Sequence, residues 1–401
     1  MIRRHHGREL KEEITIRNCM EKIDELFEKM REGVRNAPVA VKELKEAGRP
    51  IVGIYCTFTP WELINAAGGI PVSLCSTSEK PIAAAEQHLP RNLCPLIKSS
   101  YGFALTDTCP YFHFCDIVIG ETTCDGKKKM YELLNALRPT HVMQLPQTTE
   151  HAKSLELWKH EVIKLKEVLE ERFGASITDE KLTSAIKLKN SINAAALRFY
   201  DLAALPDPVV SGKEIMLVSD YIKFTFDYEE AIANVNALTD SLLDAYKSGL
   251  RRVSASKRIL ITGCPMGKSL EKVVDEIEAP ENSAVVVGFE NCGNLKCTHY
   301  KVREDIAPLD AITEKYLSIP CSVMSPNNER IELIRHYIKK YRADGVADVI
   351  LQACHTYNVE SHSVRTALAS DGIPYIAVET DYSQGDVGQL ATRFGAFAEM
   401  L

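Results

Sequence analysis

Two halves of the chain carry the same succession of four short apolar runs, and this repeat constrains the fold more than any other feature. The runs lie near residues 50, 72, 117 and 141 in the first half, and near 258, 284, 348 and 374 in the second. Helical stretches separate successive runs, which is the pattern of an open parallel α/β sheet. We therefore predict an α/β protein with two lobes, each built on a four-stranded parallel sheet, that face one cleft.

Stretches of helical character flank and separate these two halves. Residues 8–46 and about 150–250 are rich in charged residues, with apolar positions at helical spacing. The sequence predicts N-terminal helices over 1–48, broken at Asn36-Ala37-Pro38. The other predicted domains are a first lobe over 49–149, a helical domain over 150–255 and a second lobe over 256–401. A chain of 401 residues is long enough to form several domains.

Charge and hydropathy exclude several classes of partner. The net charge of −7 argues against a nucleic-acid partner. The basic start, MIRRHHGREL, has no apolar segment behind it and does not resemble a secretory signal. No apolar run approaches the roughly 20 residues that span a bilayer. We therefore expect a cytoplasmic protein with no membrane partner.

Cysteine is unusually abundant in this chain, which contains 12 of these residues. In a reducing compartment such a number favours metal binding or redox chemistry over disulfides. The sequence contains no CxxC pair. Zinc ribbons and the bacterial ferredoxin motif are thereby excluded as local sites. The fold must assemble any metal site from distant segments.

Half of these cysteines lie at or just after the ends of predicted strands. They are Cys56, Cys75, Cys124, Cys264, Cys292 and Cys354. Ligands of open parallel sheets bind at the carboxyl ends of the strands. If the two lobes face each other, these thiols should converge on the cleft between them.

Two of the thiols have neighbours that favour ionisation. Pro95 predicts a helix that begins just after Cys94, where the helix dipole stabilises a thiolate. Cys124 is followed by three lysines at 127–129, which should lower its pKa. Alternatively, these lysines form a solvated face, balance the charge of an anionic cluster, or bind an acidic substrate or a partner.

Six or seven converging thiolates suit iron–sulfur chemistry better than a tetrahedral zinc site. Three cysteines per cubane would leave one iron open to substrate, as catalytic zinc sites keep an open position. His355, next to Cys354, and Glu290, near Cys292, are candidate catalytic proton donors. The segment GCPMGKS is a weaker alternative site, because a phosphate-binding loop has four residues between its glycines and this one has three.

Several longer segments are recognisable together: NLCPLIKSSYGF, GETTCDGKKKMYE, HVMQLP, ILITGCP, VILQACHTY and ETDYSQGDVGQLATRFGAFAEML. They resemble the 2-hydroxyacyl-CoA dehydratase D-component family, and most of all its single-subunit branch, the double-cubane cluster proteins. The match runs from about residue 40 to the C-terminus. The resemblance implies two Rossmann-like lobes and an iron–sulfur cluster in the cleft. It also implies a partner, a separate ATP-hydrolysing [4Fe–4S] reductase that supplies low-potential electrons.

The same resemblance implies which thiols bind the cluster. Cys94, Cys124 and Cys354 match the positions that hold one [4Fe–4S] cubane in the family. A double-cubane [8Fe–9S] cluster needs three further thiolates, to be chosen from Cys56, Cys264, Cys292 and Cys321. Cys75 and Cys109 are reserves, and Cys19, Cys115 and Cys297 are expected to be structural.

The expected function is therefore that of an ATP-dependent, low-potential reductase that acts on a small substrate as a homodimer. One alternative is a lyase, namely a subunit of a 2-hydroxyacyl-CoA dehydratase with a single [4Fe–4S] cluster. Another is an electron carrier without enzymatic activity. The sequence does not identify the substrate.

Overall fold

The computed structural model describes the backbone of residues 2–401 and the side chains of residues 19–401. It contains two parallel sheets of four strands each. The strands of the first lobe are β1 (Ile51–Ile54), β2 (Ile70–Ser73), β3 (Ile117–Glu121) and β4 (Thr140–Met143). Those of the second lobe are β5 (Lys257–Gly263), β6 (Ala284–Glu290), β7 (Gly345–Leu351) and β8 (Tyr375–Thr380). The predicted α/β architecture with two Rossmann-like lobes is confirmed.

The helices surround both sheets and form the long segment between them. Those that precede this segment are α1 (Ile2–Glu46), α2 (Trp61–Ala66), α3 (Ile82–Ala85), α4 (Pro95–Leu105), α5 (Pro110–Phe114) and α6 (Asp125–Leu134). The helical segment consists of α7 (Ala152–Phe173), α8 (Asp179–Tyr200), α9 (Gly212–Phe224) and α10 (Tyr228–Lys247). The second lobe contains α11 (Glu271–Ile277), α12 (Leu295–Thr298), α13 (Pro308–Leu317), α14 (Asn328–Tyr341), α15 (His355–Ser370) and α16 (Val387–Met400).

Both sheets have the same strand order, β2-β1-β3-β4 and β6-β5-β7-β8. The chain therefore adds strands on one side of β1 and then on the other, so the strand order reverses between β1 and β3 and, in the second sheet, between β5 and β7. At such a point the two connections leave the sheet on opposite sides and open a crevice at the carboxyl ends of the strands. The apolar residues of the central strands β3 and β7 are buried on both faces, as is usual for parallel sheets, and those of the edge strand β6 are buried as well.

The predicted break in the N-terminal helices is wrong. α1 is one continuous helix with Pro38 in its interior. Proline lacks the N–H that would bond one turn back, so the helix loses a hydrogen bond at this position. Phe27, Met30 and Val41 of α1 are buried in the core, where the helix packs against α9 and α10. This packing keeps α1 helical across the proline.

The lobes and the helical segment share their apolar interior. Two buried clusters each combine residues from both lobes with residues from α7–α10. The domain boundaries predicted at residues 48, 149 and 255 remain predictions. Over residues 2–401, the structure contains no helix that is long and apolar enough to cross a bilayer.

Candidate functional site

The strand-end cysteines occupy equivalent positions in the two lobes. Cys56 and Cys264 follow β1 and β5, the first strand of each sheet. Cys124 and Cys354 each lie three residues after the end of β3 and β7. Cys75 and Cys292 each lie two residues after β2 and β6. Since the strand order of the sheets is the same, these six residues form three equivalent pairs.

Cys94 and Cys321 form a fourth equivalent pair, although neither ends a strand. Cys94 precedes the first residue of β3 by 23 residues, and Cys321 precedes the first residue of β7 by 24. Both lie in the connection between the second and third strands of their sheet, and both are buried.

The first thiol group consists of Cys94, Cys264 and Cys354. Hydrogen bonds from Cys264 and Cys94 lower the pKa of the Cys354 thiol to about 3. Its two partners respond in the opposite direction: the pKa of Cys94 and that of Cys264 rise well above the usual value, through the hydrogen bond to Cys354 and through burial. The backbone N–H of Leu351 also donates to Cys264 Sγ at 3.3 Å. The lobes thus join at this group, because Cys94 belongs to the first and its partners to the second.

Three of the thiols lie at helix N-termini. Cys94, Cys124 and Cys354 are the N-cap residues of α4, α6 and α15. Backbone N–H groups of the first turn of each helix act to lower the pKa of these thiols. The prediction that Cys94 precedes a helix beginning at Pro95 is confirmed. The net pKa shift is nevertheless downward only at Cys354, because the hydrogen bond to Cys354 and burial raise the pKa of Cys94, and burial raises that of Cys124.

The second thiol group contains Cys56, Cys124, Cys292 and Cys321. A Cys321 thiolate lies close enough to raise the pKa of both Cys56 and Cys124, although burial is the largest cause of both shifts. Hydrogen bonding with Cys292 is the largest cause that raises the pKa of Cys321. The charge of Cys354 acts on Cys124 more strongly than that of Cys321, so Cys124 lies within range of both thiol groups, which are neighbours in the cleft.

The three lysines after Cys124 have different surroundings. Lys127 is buried, and its ammonium group donates to the carbonyl oxygen of Tyr55 at 2.9 Å. Lys128 and Lys129 are exposed and pair with carboxylates of their own helix. The predicted fall in the pKa of Cys124 is wrong: Lys127 acts to lower this pKa, but burial has the larger effect and raises it.

Some of the buried polar atoms without hydrogen-bond partners lie near the thiols. Among the described side chains they include the Tyr382 and Tyr131 hydroxyls, Thr123 Oγ1 and Glu121 Oε2. Burial is the largest cause that raises the pKa of Tyr382. The charges of four thiols raise it further, namely Cys94, Cys75, Cys264 and Cys354. Burial also raises the pKa of Glu121 to about 7. Tyr382 is not among the residues predicted from the sequence, although it follows the end of a predicted strand within one of the recognisable segments.

The donor set fits an iron–sulfur group. Within residues 19–401, no three His, Cys, Asp or Glu side chains are arranged to hold a single metal ion. Cysteine thiolates are the usual ligands of iron–sulfur clusters, and the fold brings thiols of both lobes together at helix N-termini, so the donor type suits a cluster. The unpartnered hydroxyl of Tyr382 would find acceptors in thiolate or sulfide sulfur.

The two predicted proton donors lie in contrasting positions. His355 is exposed and is the first residue of α15. Glu290 ends β6 and is fully buried. Its carboxylate lies 3.0 Å from the Lys296 ammonium and 3.2 Å from the Arg330 guanidinium, and it accepts from the Thr262 hydroxyl at 2.5 Å. These ion pairs and this hydrogen bond favour a structural role for Glu290. The catalytic roles of Glu290 and His355 remain predictions.

A cavity of about 280 Å³ opens between the lobes and the helical segment. Thiols and lysines line it together: Cys56, Cys75, Cys292, Cys297, Lys127, Lys189, Lys223 and Lys315. Cys297, which was expected to be structural, lies 2.6 Å from the Thr57 hydroxyl and thus connects the lobes. The cavity therefore reaches the second thiol group.

Comparisons with known proteins agree with the resemblance in the sequence. The chain is 50% identical to the putative dehydratase subunit YjiM of Escherichia coli K12, over 94% of this chain and 98% of that protein. It is 23% identical to the beta subunit of (R)-phenyllactyl-CoA dehydratase of Clostridium sporogenes, over 95% of this chain and 100% of that subunit. The beta subunit of (R)-2-hydroxyglutaryl-CoA dehydratase of Acidaminococcus fermentans is also 23% identical, over 94% and 100%. The family model of the 2-hydroxyglutaryl-CoA dehydratase D-component matches residues 56–401. This chain belongs to the 2-hydroxyglutaryl-CoA dehydratase D-component family.

Proposed function

We propose that this protein holds a double-cubane [8Fe–9S] cluster on two thiol triads and acts as a low-potential reductase component. The first triad is Cys94, Cys264 and Cys354, and the second triad is Cys56, Cys124 and Cys321. The supporting observation is the equivalence of the two sets: exchanging the lobes converts each residue of one triad into a residue of the other.

This equivalence selects three residues from the four of the second thiol group. Each triad takes two thiols from one lobe and one from the other. Cys292 has Cys75 as its equivalent, and Cys75 donates its hydrogen bond to the carbonyl oxygen of Tyr55 at 2.8 Å. Neither Cys75 nor Cys292 is needed to complete two sets of three, so both stay outside the proposed ligand set.

When bound, the cluster would supply low-potential electrons received from a separate ATP-hydrolysing [4Fe–4S] reductase. The protein would supply positive charge near the thiolates, exclude water and offer proton donors. Helix N-termini and Lys127 offset the negative charge of the thiolates. Burial of Cys94, Cys264 and Cys321 limits the access of water. The Tyr382 hydroxyl and the exposed imidazole of His355 are groups that could donate a proton to a bound substrate.

Anaerobic iron and sulfide analysis tests the proposal. We expect about eight irons and nine sulfides per chain. About four irons per chain would contradict the double cubane and favour a single [4Fe–4S] cluster. Measuring electron uptake in the presence of the ATP-hydrolysing partner, with and without ATP, tests the charging step, which should require ATP.

A second function is supported by the comparisons: the protein would be a subunit of a 2-hydroxyacyl-CoA dehydratase, a lyase, with one [4Fe–4S] cluster. The three relatives carry names of dehydratase subunits, and the family model is that of a dehydratase component. The comparisons fit this function better than the reductase.

Subunit composition and substrate distinguish the two functions. The lyase predicts co-purification with a second subunit and dehydration of a 2-hydroxyacyl-CoA after activation. The reductase predicts a homodimer that ignores acyl-CoA and reduces a small substrate. Anaerobic purification followed by assays with both substrate types therefore separates them.

A further inference from the structure

Two lysines in the cavity have no carboxylate partner. Lys189, on α8, and Lys315, on α13, form no salt bridge within the described side chains. The Lys189 ammonium lies 5.4 Å from the centre of the Trp61 ring, and the Lys315 ammonium lies 3.6 Å from that of Tyr316. Burial lowers the pKa of both lysines, as expected for cations held away from water. Each cation thus contacts an aromatic face but no anion.

The charges around this pair leave one positive charge uncompensated. Glu62 is the carboxyl group whose charge acts on both lysines. It is fully buried behind the cavity wall, where its Oε2 accepts from the Tyr316 hydroxyl at 2.8 Å. Three other charged groups line the cavity: Lys127 donates to a backbone carbonyl near the thiols, and the charge of Lys223 acts on the carboxyl group of Asp220, whereas Lys189 and Lys315 are not among the charges that shift the pKa of Asp220. The end of the cavity that contains Lys189 and Lys315 therefore has two cations and one nearby carboxylate, that of Glu62.

We propose that this cavity binds the carboxylate of a small monocarboxylic acid between Lys189 and Lys315, with the body of the acid directed toward the second thiol group. The inference names a substrate class for the proposed function and rests on it, because Cys56 of the second triad lines the same cavity. Nothing else in the cavity wall supplies a paired cation site of this kind among the described residues.

Charge, size and lining favour a monocarboxylate over phosphate or an acyl-CoA. One uncompensated positive charge matches a singly charged anion better than a doubly charged one. A volume of about 280 Å³ is at the lower limit of small-molecule sites, so the site suits a small acid. Apolar side chains such as Ile192, Met216 and Phe289 line the remainder and would contact an aliphatic body.

The polar groups of the cavity are placed to complete such a site. The Tyr228 hydroxyl is buried and has no hydrogen-bond partner within the described side chains. Asn193, which is buried, also lines the cavity. Both side chains can donate to a carboxylate oxygen. Together with the two ammonium groups, they provide donors without a competing carboxylate at this end.

Calorimetry with butyrate and its uncharged isostere butyramide tests the proposal on the anaerobically purified holoprotein. We expect butyrate to bind at least about tenfold more tightly than butyramide, because only butyrate gains charge-assisted hydrogen bonds. Lys189→Gln and Lys315→Gln should each weaken butyrate binding by about tenfold and leave butyramide binding unchanged. Lys187→Gln, at an exposed position of α8, is the matched control and should bind butyrate as the unmodified protein does.

Equal binding of butyrate and butyramide, no binding of butyrate, or insensitivity to Lys315→Gln would overturn the proposal. Tighter binding of inorganic phosphate than of butyrate would overturn the carboxylate assignment. The midpoint of thermal unfolding provides an independent readout. Lys315→Met should raise it, because an uncompensated buried charge is removed. A lower midpoint would show that Lys315 is a structural partner of Glu62 and contradict the proposal.

The test of the carboxylate site and the test of the proposed function can fail independently of each other. Lysine-dependent butyrate binding to a protein with about four irons would contradict only the double cubane. About eight irons without lysine-dependent binding would contradict only the carboxylate site.

Discussion

Cys264 and Cys292 follow neighbouring strands of the second sheet, yet their surroundings differ. Cys264 is buried, accepts from the N–H of Leu351 and contacts Cys354. Cys292 is only partly buried, and its carbonyl oxygen accepts a bond from the Cys297 thiol at 2.5 Å. Strand-end position alone therefore does not make a cysteine a ligand. The role of each thiol depends on what the opposite lobe places beside it.

We predict that Cys264→Ser removes about half or more of the bound iron, because the first triad loses a ligand. Cys292→Ser, the matched variant at the next strand, should retain the iron content of the unmodified protein. Anaerobic iron analysis after gel filtration checks both. Equal iron loss in the two variants would contradict the assignment of the triads.

Glu290 is the predicted proton donor whose surroundings argue most strongly for another role. Lys296 and Arg330 are fully buried with it, so Glu290→Gln would leave two cations against the single carboxylate of Glu360. We predict a loss of about 3–5 kcal/mol in the free energy of unfolding. Anaerobic urea unfolding measures it, with Glu314→Gln as the exposed control that should cost about 1 kcal/mol or less. Unchanged stability with lost turnover would restore the catalytic role.

At the scale of elements, the strands were predictable and the first helix was not. The runs that became β3 and β7 combine β-branched residues with complete burial, so their local sequence and their environment favour the same structure. Pro38 predicts a helix end by local rules, but tertiary packing of α1 overrides it. The local sequence of α1 does not contain this information, because α9 and α10 supply the contacts.

The end of β5 needs glycine, and this requirement gives an element-scale prediction. Gly263 has φ of 124°, and a Cβ there would lie 2.1 Å from the carbonyl oxygen of Val349 in β7. Gly263→Ala should therefore separate β5 from β7, displace Cys264 and lower both stability and iron content. Gly372→Ala, with φ of 72° and open space around it, should cost only about 1–2 kcal/mol. Thermal unfolding and iron analysis of both variants check this, and equal effects would contradict it.

At the scale of the whole molecule, the sequence predicts convergence of the thiols but not their grouping. Strands of one sheet bring their ends together by topology, so the location of the site follows from the strand assignments. The grouping depends on how the lobes face each other. The family resemblance implies one set of Cys94, Cys124 and Cys354, whereas the contacts add Cys264 to Cys94 and Cys354 and place Cys124 within range of both Cys354 and Cys321.

The two cavity lysines were unpredictable for the same reason. Lys189 belongs to the helical segment and Lys315 to the second lobe, and each appears in its helix as one charged residue among many. Only the packing of α13 against α8 brings them to one cavity. Function in this molecule therefore arises at contacts between parts that are far apart in sequence.

The central claim is that two equivalent triads, each shared between the lobes, hold two cubanes. Anomalous scattering at the iron edge from anaerobically grown crystals tests it most directly. We predict iron density in two adjacent groups of about four, one next to Cys94, Cys264 and Cys354 and one next to Cys56, Cys124 and Cys321. A single group of about four irons bound by Cys94, Cys124 and Cys354 would contradict the claim.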